Sequence, residues 1–218
     1  MRADLASHIR AQMDALPLVV GKPLLVVDAD EVLVHFLRHF EQFVAQRNWR
    51  LNITGYSLEG AISRPLTGEV ASTETTLSMI DAFFEAETLA QTEIPGAAAA
   101  LADLSRDVQI IVLTNLPHAA RASRVENLAA LGIGYPLVTN TGGKGRLLAE
   151  LQHQVDAPTV FVDDSPHQIA SARCHAPKVQ ALQFIGCSYA RDLIPSLEPG
   201  APEQWSDVST LARHHLHP

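Results

Sequence analysis

Four short apolar runs constrain this chain more than anything else in it. Leu24-Leu25-Val26-Val27, residues 108–113, residues 159–162 and residues 181–185 each have the length of a strand. None alternates strictly between apolar and polar positions, so each reads as a strand buried on both faces of a sheet. Leu137-Val138 adds a shorter strand. Helical patterns separate them, over residues 97–104, 117–131, 146–153 and 167–174. Strands that alternate with helices in this way predict an α/β fold, a doubly wound parallel sheet.

One region breaks the alternation. Between the first and second runs, helical spacing appears over residues 32–49 (Phe36, Phe40, Phe43, Val44) and over 74–89 (Leu77, Ile80, Phe83, Phe84). A loop bearing Gly55, Gly60, Pro65 and Gly68 joins the two helices, with no strand signal. Residues 35–92 therefore read as a small inserted α-helical subdomain, and residues 1–34 and 93–218 as the α/β core. At the N-terminus an amphipathic helix is expected over 3–16. The helix over 117–131 is expected to turn Arg121, Arg124 and Glu126 to water. One more helix is expected near 205–214, and His214, His215 and His217 read as a frayed, solvated terminus rather than a metal site.

With 218 residues, 47% of them hydrophobic, the chain can bury a substantial core and is not disordered. Its net charge of −8 argues against nucleic acid or an anionic membrane as a partner. It does not argue against a small phosphorylated metabolite, which a local cation can hold. Cys174 and Cys187 have neither metal-binding spacing nor the density of a disulfide framework, so a reducing compartment is expected. No secretory signal or membrane span is apparent, and the cytoplasm is the expected location. The sequence leaves the oligomeric state open.

Chemistry gathers where the apolar runs stop. The first run leads into Asp28-Ala29-Asp30, the second into Thr114-Asn115 and the third into Asp163-Asp164. Strand alternation points Asp28 and Asp30 to one side. Lys144 sits in the Gly-rich stretch 141–145. In a parallel sheet the carboxyl ends of the strands share one edge, where ligands bind. Residues far apart in sequence should therefore converge there. Carboxylates that converge call for a divalent cation with oxygen ligands. The set supplies a carboxylate nucleophile, a second carboxyl for proton transfer, hydroxyl and amide donors, a cation and further acids. Those are the parts that phosphoryl transfer through an aspartyl-phosphate requires.

In order and placement, Asp28-Ala29-Asp30, Thr114, Lys144 and Asp163-Asp164 resemble the four motifs of the haloacid dehalogenase superfamily, in its phosphatase branch. Glu93-Ile94-Pro95-Gly96 adds to the likeness, which extends over residues 24–185. The resemblance implies a Rossmann-like core with a C1-type helical cap over residues 35–92, and a Mg2+-dependent phosphatase. It implies Asp28 as nucleophile, Asp30 as acid and base, and Thr114 and Lys144 as holders of the phosphoryl group. Mg2+ would lie on the Asp28 carboxylate, the Asp30 backbone carbonyl and the pair Asp163 and Asp164, with Asp164 at the position that usually contacts the metal most directly. Asn115, His118 and, from the insert, Arg64 are further candidates to meet the substrate. Two positions depart from the pattern. Glu31 stands where phosphatases of the family usually have Gly, and Gln168 where many have another acid. Competing readings are an inactive or phosphoacceptor protein of this fold and, disfavoured by Asp30, a 2-haloacid dehalogenase.

Overall fold

The structure, a computed structural model, describes residues 7–53, 55–191 and 200–216. Helix α1 (Ser7–Asp14) precedes the central strand β1 (Leu24–Val27). The insert carries α2 (Leu37–Ala45), the two-residue strands β2 (Arg50–Leu51) and β3 (Ile62–Ser63), and α3 (Thr73–Glu87). Strands and helices then alternate: α4 (Ala97–Leu104), β4 (Gln109–Thr114), α5 (Arg121–Ala130), β5 (Leu137–Thr139), α6 (Gly145–Val155), β6 (Thr159–Asp163), α7 (Pro166–His175) and β7 (Val179–Gln183). The short α8 (Ser188–Arg191) and α9 (Trp205–Leu216) follow.

Five strands form one parallel sheet in the order β5-β4-β1-β6-β7, as the apolar runs predicted. Val27 is level with Val112 on one side and Val162 on the other, so the three chains leave the sheet side by side. Alternate residues serve opposite faces. Leu25, Val27, Val112 and Val162 pack with the insert, α4 and α9. Leu24, Val26, Leu113 and Phe161 pack with α1, α6 and α7. This double burial is why the runs lack polar alternation. No helix among the described residues is long and apolar enough to cross a membrane.

The insert's share of this core is aromatic. Phe36, Phe40, Phe43, Phe83 and Phe84 are five of the chain's seven phenylalanines, and their rings lie 5.2–6.5 Å apart. Edge-to-face pairs predominate around Phe83, the arrangement that ring quadrupoles favour.

Three expectations need correction. The helix over 32–49 begins only at Leu37, because residues 29–34 form a tight turn in which Leu33 and Val34 both donate to the Ala29 carbonyl. The insert is not wholly helical, since β2 and β3 pair as a small antiparallel ribbon. The C-terminal region is docked rather than frayed. Trp205, Val208, Ala212 and Leu216 are buried, the Trp205 indole donates to the Val32 carbonyl at 3.0 Å, and Arg213 pairs with Asp103 and Asp107. His214 and His215 ride on this helix, whereas His217 lies outside the described residues, as does the start of the helix expected over 3–16.

Candidate active site

Each site residue stands where a strand ends. Asp28 follows β1, anchored by its N–H to the Val162 carbonyl at 2.9 Å. Thr114 ends β4 and Asp163 ends β6. Lys144 stands just before α6, 1% exposed, and its loop is fixed by neighbours. Its N–H donates to Gln168 Oε1 at 2.8 Å, and Gln168 Nε2 donates to the Gly142 carbonyl. Gln168, unusual for the resemblance, thus ties the lysine loop to α7. Asn115 secures the same loop from the other side, donating to the Gly142 carbonyl at 2.8 Å.

The acids converge around the lysine. Lys144 Nζ lies 2.7 Å from Asp28 Oδ1 and 2.6 Å from Asp163 Oδ2. Asp163 Oδ1 also accepts from the Ser165 N–H at 2.9 Å, so both its oxygens are engaged. Asp164 Oδ2 accepts a hydrogen bond from the Tyr56 hydroxyl. Asp28, Asp163 and Asp164 each offer an oxygen within 4.8 Å of the others.

Electrostatics follow from three buried carboxylates around one ammonium, which among the described residues pairs with Asp28 and Asp163 only. Burial, with Asp163 and Asp30 nearby, lifts the Asp28 carboxyl to about 7 against the pull of Lys144. Burial and the neighbouring acids push Asp164 well above the carboxylate range. Burial also works against the charge on Lys144, but Asp163 and Asp28 outweigh it and hold the ammonium protonated. The Tyr56 phenol is pushed well above its usual range by burial of the hydroxyl and by Asp164. With Asp163 engaged on both oxygens, the Asp28 and Asp164 carboxylates, amid an excess of negative charge, fit a hard divalent cation.

Asp30 turns to a different partner. Its Oδ1 accepts from Arg124 Nη2 at 2.7 Å and from Gln91 Nε2 at 3.2 Å. Arg124 Nη2 also donates to Gln91 Oε1, and Asn127 Nδ2 donates to the Leu89 and Gln91 carbonyls. Arg124 is 0% exposed, so its assignment to the wet face of α5 is wrong. The sequence held a signal: Arg124 lies four residues from both Ala120 and Leu128, on the stripe that α5 buries. Tyr56 was missed as well, because a loop residue has no periodicity to mark it.

Asp28, Asp30, Thr114, Asn115, Lys144 and Asp164 open on one cavity of about 280 Å³. Its walls are apolar: Phe36, Leu37, Ile53, Leu58 and Phe84 from the insert side, and Leu116 from the core. Arg64 is not among the lining residues. Its guanidinium lies 3.8 Å over the Trp49 ring and donates to the Arg47 and Asn48 carbonyls, so the insert's own structure uses it. His118 faces elsewhere, bonded to Thr139 and packed at a tilt against the His8 ring.

Glu31 takes a left-handed conformation (φ +59°), which favours glycine at this position. Its Oε1 accepts from the N–H groups of Phe36 and Leu37 and so caps α2. Burial raises its carboxyl to about 7.

The chain resembles solved structures of one kind. A haloacid dehalogenase family hydrolase from Deinococcus radiodurans, with bound phosphate and sodium, superimposes with a TM-score of 0.57 at 16% identity over 93% of this chain and 99% of that one. This is the haloacid dehalogenase-like fold. A haloacid dehalogenase-like protein of unknown function from Agrobacterium tumefaciens shares that fold at a TM-score of 0.59 and 16% identity, over 89% of this chain and 99% of its own. A structure from Haemophilus somnus, described as a predicted phosphoglycolate phosphatase, gives 0.52 at 15% identity, over 74% of this chain and 84% of its own. No protein-family model and no curated protein matches the sequence.

Proposed function

We propose that this haloacid dehalogenase-like chain is a Mg2+-dependent phosphatase that hydrolyses a small phosphomonoester through an aspartyl-phosphate on Asp28. The reading rests on one observation above all. Lys144 pairs with Asp28 inside the acidic triad, at the polar end of an otherwise apolar cavity.

An Asp28 carboxylate oxygen attacks phosphorus, the bond to the ester oxygen breaks, and Asp30 gives that oxygen its proton. Water then attacks the acyl phosphate and passes its proton to Asp30, which frees inorganic phosphate and restores Asp28. The Asp30 Oδ1 atom is held by Arg124 and Gln91, which leaves Oδ2 for the proton. Lys144 and the Thr114 hydroxyl hold the phosphoryl oxygens. Asp28, Asp164 and the Asp30 backbone carbonyl would hold Mg2+, which supplies positive charge to the phosphoryl group in flight. Asp163, with both oxygens engaged, fixes Lys144 instead. The insert acts as the cap, and its apolar wall favours an ester with an aromatic or aliphatic body over a bare sugar phosphate.

The test is hydrolysis of an aryl phosphate with and without Mg2+. Activity is expected to require the metal and to fall by about three orders of magnitude or more in Asp28→Asn. An inert wild type across a broad phosphate panel would refute the proposal. A long-lived phosphoprotein would favour the phosphoacceptor reading, and chloride release without metal the dehalogenase.

A further inference from the structure

A second cluster of metal-ligating side chains lies beside the acidic triad, and the phosphatase mechanism does not use it. Glu31, His35 and Cys187 each present one ligand atom within 4.8 Å of the other two. All three are buried, with residue exposures of 3%, 6% and 2%. Two of them are incomplete. Glu31 Oε2 and His35 Nδ1 have no hydrogen-bond partner although both are shut off from water. Unpaired buried lone pairs are costly, and native structures rarely leave two beside each other.

We propose that Glu31, His35 and Cys187 form a structural site for one Zn2+ ion. The donor set is an imidazole nitrogen, a thiolate sulfur and a carboxylate oxygen, the mixture that zinc accepts and magnesium does not. Charges balance as well. One carboxylate and one thiolate cancel the ion's two positive charges, with the imidazole neutral and a water as fourth ligand, so the loaded site carries no net charge into the interior. Bonds of about 2.0–2.3 Å would set the ligand atoms about 3.3–3.8 Å apart. The ligand atoms already lie within 4.8 Å of one another, so side-chain adjustments of at most about 1.5 Å achieve that.

The backbone already fixes the three ligands. The Gly186 N–H donates to the Glu31 carbonyl at 2.8 Å, and a methyl group on Gly186 would meet Ile94 at 2.3 Å, so the loop carrying Cys187 is seated tightly. His35 donates its N–H to the Thr92 carbonyl and accepts from Gln91 on its own carbonyl. Glu31 Oε1 is held by the Phe36 and Leu37 N–H groups, which leaves Oε2 to the ion. Outer hydrogen bonds that orient a ligating carboxylate are a regular part of metal sites. The ion would join the start of the insert to the loop after β7, two segments some 150 residues apart in sequence.

Chelator-treated full-length protein, saturated with Mg2+ to fill the acidic triad, is titrated with Zn2+ by calorimetry and with Co2+ by absorption. One Zn2+ per chain is expected, together with a thiolate-to-cobalt charge-transfer band and a rise in the melting midpoint on adding zinc. Cys187→Ser should lose the band and bind zinc at least tenfold more weakly, with unchanged circular dichroism. Cys174→Ser, which alters the exposed thiol, and Asp164→Asn, which alters the acidic triad, should keep both properties. His35→Gln supplies an independent variant if Cys187→Ser does not fold. The proposal is overturned if wild-type protein binds no stoichiometric zinc, or if the band persists in Cys187→Ser or vanishes in Cys174→Ser. None of these readings depends on phosphatase activity.

Discussion

The Asp30–Arg124 pair is asymmetric: the Arg124 side chain is 0% exposed and that of Asp30 is 20% exposed. Removing the acid therefore strands a charge that water cannot reach, whereas removing the arginine leaves a carboxylate that it can. Asp30→Ala is expected to destabilise the fold by about 3–5 kcal/mol, and Arg124→Met by less. The double variant should recover much of the loss, because an apolar chain then replaces an ion pair. Urea unfolding of the wild type and the three variants measures this coupling. Glu31 supplies a pH prediction for chelator-treated protein. Its carboxyl keeps its proton up to about 7 when folded, against an ordinary 4.5, chiefly because it is buried. The folded state thus binds more protons between those values, and stability falls as pH rises from about 4.5 to about 7. The loss should reach up to about 3 kcal/mol in the wild type and be smaller in Glu31→Gln, which keeps the cap on α2.

Long apolar runs and their terminal acids were legible because a strand covered on both faces has little freedom in composition. Thus β4 and β6, with Thr114 and Asp163-Asp164 at their ends, could be placed from sequence. Strands β2 and β3 could not, since two residues carry no period. Arg124 misled because a charged residue is assigned to water unless its partner is known, and that partner lies 94 residues away. The contact of α6 with α7 was equally hidden. A methyl group on Gly145 would sit 2.1 Å from the Ser171 carbonyl oxygen, so only glycine lets these helices approach. Gly145→Ala should cost about 1–3 kcal/mol by forcing them apart. It should also lower kcat by shifting the adjacent Lys144, measured by denaturation and by steady-state kinetics on one preparation.

Across the whole molecule, the insert contributes most of the apolar wall and the core contributes the charged floor. Tyr56 is where the two meet, its hydroxyl bonded to Asp164. On the proposed function, Tyr56→Phe removes a competitor for this Asp164 oxygen and is expected to tighten Mg2+ binding several-fold in calorimetry. The C-terminal helix matters at this scale too. Trp205, 2% exposed and packed at 5.5 Å on Phe184, braces the turn after Asp30 through its bond to Val32. Helix α9 therefore supports the loop that carries Asp28 and Asp30. The Tyr56 phenol also sits where a cation would be welcomed, a plug resting in the socket it guards. A cation taking that Asp164 oxygen would have to displace the phenol, which would tie the filling of the acidic cluster to the grip of the insert on the core.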